Sequence, residues 1–122
     1  MRDLAVIAMI FVAVLSMHVY YGKDVKVVVH YDLDGGEKFG AYLFGTETIK
    51  DDVLRIFESG KYWVEKIDYD RAILHFKTEH LKDYWFFEGA KLRYPVNMTI
   101  HISDKLCFNV TSDEIPQAYI FE

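Results

Sequence analysis

Residues 4–21 read LAVIAMIFVAVLSMHVYY, a run that begins at Leu4, ends at Tyr21 and contains no formally charged side chain. As a helix, 18 residues span about 27 Å, just short of the roughly 30 Å hydrocarbon core of a bilayer. Tyr20 and Tyr21 close the run with rings that are apolar at one end and wet at the other, which suits a membrane–water boundary. The run therefore predicts an N-terminal hydrophobic helix, residues 1–21 forming a single-pass transmembrane signal-anchor. Two other readings stand beside it. One is a signal peptide, with Arg2 as its charged region, residues 4–13 as its apolar region and Val14-Leu15-Ser16 ahead of a cut before Met17. Against it, no A-x-A pattern is present and Asp3 offsets Arg2. The other is a buried core helix. The first two readings place residues 22–122 outside the cytoplasm, held at the cell membrane or secreted after cleavage near Ser16. Flanking charge barely orients the chain, because Arg2 and Asp3 lie on one side of the run and Lys23, Asp24 and Lys26 on the other.

Working outward, 122 residues allow one domain, residues 22–122, beyond the N-terminal segment. A composition 52% hydrophobic and 16% aromatic is enough for a core and excludes wholesale disorder. The net charge of −5 argues against a phosphate-backbone binder, so nucleic acid is not an expected partner. One cysteine excludes an internal disulfide and any multi-cysteine zinc site. The expected partners are the membrane, through the N-terminal helix, and an envelope or membrane protein.

Residues 25–33 alternate strictly, Val25, Val27, Val29, Tyr31 and Leu33 on one face and Lys26, Val28, His30 and Asp32 on the other, as a half-buried strand does. A three-residue loop at Asp34-Gly35-Gly36 would pair Tyr31 with Phe39, Val29 with Ala41 and Val27 with Leu43. Thr48 then caps a helix with Ile49, Val53, Ile56 and Phe57 on one stripe, and Gly60 ends it. Residues 62–67 and 72–76 form a second hairpin in which pairing Ile67 with Ala72 sets Trp63 beside Phe76. Residues 79–88 suit one or two helical turns with Leu81, Tyr84 and Trp85 inward. Residues 90–102 are the most periodic segment and turn at Ser103-Asp104-Lys105 into a strand carrying Leu106, Phe108 and Val110. Pro95 marks an edge, a bulge or a break in that segment. Residues 112–122 dock as a short last strand or trail. The expected fold is α+β: about six strands in three hairpins, a largely antiparallel sheet covered by one main helix behind the N-terminal hydrophobic helix. The helix stripe should bury against Val27, Val29, Tyr31, Leu43, Trp63, Ile67, Leu74, Phe76, Ile100 and Phe108.

Motifs with chemistry are few. Asp32, Asp34 and Glu37 cluster at a turn rich in the oxygen ligands that Ca²⁺ favours, but no EF-hand spacing follows, and a polar hairpin turn accounts for them. Cys107 falls opposite His101 on the polar face of the last hairpin, without a third group to complete a nucleophile or a metal site. A lone cysteine on a sheet face is usually a packing residue. His18, His30, His75 and His80 share no metal-ligand spacing. No Gly-rich phosphate loop, nucleophile elbow or H-E-x-x-H is present. Asn97-Met98-Thr99 and Asn109-Val110-Thr111 are glycosylation sequons, Asn97 facing Thr111 and Asn109 facing Thr99. The reading that results is a membrane-tethered binding or assembly module without cofactor or evident catalytic chemistry. Its alternatives are a filament subunit with the N-terminal helix as stem, and a small metal-assisted hydrolase using Asp32, Asp34 and Glu37 with His30.

Overall fold

The computed structural model describes residues 12–33, 45 and 47–121. It corrects the N-terminal helix outright: Val12–Tyr20 is a β-strand, β1, paired on both sides. It is followed by β2 (Val25–Leu33), α1 (Glu47–Leu54), β3 (Tyr62–Ile67), β4 (Arg71–Phe76), β5 (Glu79–His80), β6 (Tyr84–Phe87), β7 (Ala90–Ser103), β8 (Leu106–Ile115) and β9 (Ala118–Phe121). Six strands form one sheet in the order β3-β4-β2-β1-β7-β8, and β5-β6-β9 form a small second one. The fold is mostly β, with the eight-residue α1 a minor part, and not α+β with a main helix. Among the described residues no helix is long and apolar enough to cross a membrane.

The reason β1 imitates a membrane span is its position. It lies inside the sheet, antiparallel to β2 and parallel to β7, with Met17 beside Val29 and Met98, and Val19 beside Val27 and Ile100. Interior strands read as nearly continuous apolar runs, as bilayer helices do. A bulge decides which side chains go in. The register shifts between Val14 and Ser16, so Leu15 is the extra residue and is 59% exposed, while Met17 is fully buried. Without that shift, His18 and Ser16 would share the core face with Val14. The filament reading loses its stem, because Val12–Tyr20 is committed to the sheet.

The two later hairpins form as the periodicity predicts, with Ile67 paired to Ala72 and, in β7–β8, Asn97 to Thr111 and His101 to Cys107. The register of β7–β8 shifts between Lys91 and Val96, around Pro95. A second shift, between Val64 and Lys66, moves Trp63 opposite His75 instead of Phe76 and leaves it 45% exposed, while Tyr62 takes the place beside Phe76. The strand partner expected for β2 at residues 39–43 lies outside the described residues, as does Leu43; β2 pairs with β1 and β4. Residues 79–88 are β5 and β6 and not helical turns, since Tyr84–Phe87 is an aromatic run with high β-propensity that pairs with β9.

The helix is shorter than its apolar stripe. Ile49 and Val53 are buried on α1, and Ile56 and Phe57 are buried just past its end. There the backbone leaves the helix for β7: Glu58 N–H donates to the Lys91 carbonyl at 2.9 Å, Arg93 N–H donates to Ile56 at 2.9 Å, and Phe57 bridges Leu92. The segment then passes Gly60 at φ +125°, where an added Cβ would stand 2.6 Å from the Phe76 ring. The core gathers Val27, Val29, Tyr31, Leu74, Phe76 and Ile100, as expected, together with Met17, Val19 and Met98.

Candidate functional site

Two surfaces stand out: the polar face of the large sheet and its β8 edge. On the polar face, four of the five histidines come together on different strands. His18 (β1), His30 (β2) and His75 (β4) each lie between two core residues, and His101 (β7) follows the buried Ile100. The parallel pairing of β1 with β7 brings His18 Nδ1 to 2.9 Å from His101 Nε2, with ring centroids 5.2 Å apart. His30 meets the His18 ring edge-on at 5.6 Å, and Tyr20 stacks on His101 at 4.3 Å. Partial burial, then the neighbouring His101 and His30, hold the His18 pKa below the ordinary histidine value.

His75 has a different environment on the same face. Its Nδ1 lies 2.5 Å from Asp24 Oδ2 and its Nε2 bonds Glu65, while Trp63 stacks parallel on the ring at 5.1 Å. Partial burial favours the neutral ring, but the hydrogen bonds and charges of Glu65 and Asp24 outweigh it and raise the pKa. The hydrogen bond to His75 in turn lowers that of Glu65. This cluster joins β3 and β4 to the segment before β2 and has the character of an ion-paired staple.

The acidic turn falls mostly outside the described residues. Asp32 is exposed on β2 opposite Ala13, and Asp34 and Glu37 lie outside the described residues. Cys107 is a free, exposed thiol opposite His101. Asn97 and Asn109 are exposed, and the Thr99 hydroxyl donates to Asn109 Oδ1 at 2.7 Å. Among the described residues no three of His, Cys, Asp or Glu are grouped so as to hold a metal ion. Sequence spacing misses the His18–His101 pair because its members are 83 residues apart and meet only through a parallel pairing. The available signal was the alternation of Ser16, His18 and Tyr20 with Met17 and Val19.

β8 forms one edge of the large sheet. Its apolar side chains, expected in the core, are at the surface: Leu106 is 55% and Phe108 47% exposed. Phe108, with Ile102, Tyr119 and Phe121, also exposed, borders an apolar groove of about 400 Å³ between β9 and the end of the β7–β8 hairpin. Tyr21 donates from its hydroxyl to the Pro116 carbonyl at 2.7 Å, fixing the lead-in to β9, and burial pushes its pKa up to about 12. The two edges of the sheet differ. β3 carries Glu65, Lys66 and a bulge, features that blunt an edge against pairing. Residues 106–111 of β8 read LCFNVT, with neither charge nor proline. Charge appears only at the ends, Lys105 before the strand and Asp113 and Glu114 near its close. Comparison with protein-family models, curated proteins and solved structures gives no match.

Proposed function

We propose that this chain is an assembly module whose working surface is the β8 edge, and that the edge pairs antiparallel with β8 of a second copy. The observation that carries the reading is an edge strand without charge or proline over residues 106–111 that exposes Leu106 and Phe108 beside an apolar groove. An edge that none of the described residues covers is a template for another strand, and apolar side chains on one face supply the affinity.

The register follows from matching Phe108 with an apolar partner. A two-fold axis through Asn109 sets Lys105 opposite the partner's Asp113 at both ends, Phe108 opposite the partner's Val110 and Cys107 opposite the partner's Thr111. The Lys105–Asp113 pairs favour that alignment, while Asp104, which falls opposite the partner's Glu114 beyond the strand's start, opposes it. The two sheets then continue into one, and Leu106 and Phe108 lose part of their contact with water. Sedimentation equilibrium of the full chain tests this. A concentration-dependent dimer is expected. Lys105→Glu and Asp113→Lys should each weaken it about two- to thirtyfold, since each disrupts two exposed pairs worth about 0.2–1 kcal/mol apiece. The double variant should recover the loss. A chain monomeric up to millimolar concentration, or a dimer indifferent to both single changes, would refute the proposal.

A further inference from the structure

We propose that His18 and His101 form a cis pair of imidazole ligands for a divalent ion of the late first transition series, Ni²⁺ or Cu²⁺. The observations are the 2.9 Å separation of His18 Nδ1 and His101 Nε2, their fixed registers on adjacent strands, and the stacking of Tyr20 on His101 at 4.3 Å. Imidazole nitrogen is a good ligand for these ions. Two nitrogens each about 2.05 Å from one ion and 2.9 Å apart subtend about 90° at it, the angle between neighbouring ligands in a square-planar or octahedral shell. A tetrahedral Zn²⁺ would want them about 3.3 Å apart, which requires the rings to open. The rings, which face each other in a hydrogen bond, turn to aim both lone pairs at one ion, and the 2.9 Å separation then suits the 90° angle of Ni²⁺ or Cu²⁺.

Both rings must be neutral to bind. In the ion-free pair one facing nitrogen carries a proton and donates to the other. On binding, solvent carries that proton to the same ring's outer nitrogen, so both rings stay neutral and each keeps one N–H. Among the described residues no third His, Cys, Asp or Glu completes the group, so water fills the remaining positions. Held by two protein ligands, the ion should bind in the micromolar range or more weakly and exchange readily.

Titration of the full chain with NiCl₂, followed by calorimetry, tests the site, and Ni²⁺ avoids redox chemistry at the exposed Cys107. One ion per chain is expected. Affinity should fall at least tenfold in His18→Ala and in His101→Ala and should persist in His80→Ala, whose ring stacks on Trp85 in the small sheet. Paramagnetic broadening in the unsubstituted protein provides a readout independent of variant folding. Signals of His18, Tyr20, Thr99 and His101 should broaden first. No binding at millimolar Ni²⁺, undiminished binding in both variants, or broadening centred on His80 would overturn the proposal.

Discussion

Replacing Met17 and Leu15 by alanine, one at a time, tests the bulge in β1. Met17 is fully buried between Val29 and Met98, whereas Leu15, two positions earlier, is the bulge residue and 59% exposed. Met17→Ala removes buried methylene and thioether atoms and leaves a cavity in a closely packed sheet face, which costs about 2–5 kcal/mol. Leu15→Ala removes atoms already largely in water and should cost about 0.5 kcal/mol or less. With a urea m-value of about 1–3 kcal/mol/M, the Met17 change lowers the unfolding midpoint by about 1–3 M, and the Leu15 change leaves it nearly in place. Urea unfolding of the full chain, followed by tryptophan fluorescence and by circular dichroism, measures both. Equal shifts for the two variants would refute the bulge in β1, because in a regular strand residues two positions apart share a face.

Further outcomes follow from the same packing. Phe57→Ala should destabilise by about 3–5 kcal/mol in the same assay, because the ring is buried against Tyr62 and Phe76 at 5.7 and 5.4 Å; a midpoint unchanged from the parent would show that the segment after α1 does not close the core. Gly60→Ala should cost about 1–3 kcal/mol through its positive φ and the clash with Phe76, and a neutral result would contradict that backbone path. The raised pKa of His75 means that its cluster stabilises the fold fully below the ordinary histidine value of 6.5 and loses that contribution as pH rises through the folded-state pKa. His75→Gln should therefore destabilise more at pH 6 than at pH 9. An equal penalty at both pH values would show that Asp24 and Glu65 do not hold the charged ring.

Local pairing was legible in the sequence, and non-local pairing was not. Strict alternation in residues 25–33 and 90–102 marked their strands, and turn-flanking pairs located the β3–β4 and β7–β8 hairpins. Each bulge then moved residues across the sheet: one extra position at Leu15 placed Met17 and Val19 inside, and the shift between Val64 and Lys66 placed Trp63 outside. Val12–Tyr20, the described part of the apolar run, could not be assigned from hydropathy, because burial between two strands and burial in lipid select the same residues. Its alternating Ser16, His18 and Tyr20 did carry the strand period. The histidine pair depended on joining residues 18 and 101 through the β1–β7 pairing, which no short-range pattern encodes. The β8 apolar face was read correctly as a face and wrongly as buried. Phe108 pairs with the buried Ile100, but it stands on the edge strand, beside the groove under β9.

The register proposed for the β8 edge can be trapped covalently. Thr111→Cys places a thiol opposite the partner's Cys107, at the separation of about 4.5–5.5 Å between Cα atoms that antiparallel partners have and a disulfide accepts. Within one chain the two thiols are four strand positions, about 13 Å, apart and cannot join. Mild oxidation of the full-length Thr111→Cys protein, read on a non-reducing gel, should give a covalent dimer, while the parent chain with Cys107 alone stays monomeric on the same gel. A variant that fails to cross-link, or a parent chain that cross-links equally well, would contradict assembly through β8 about Asn109.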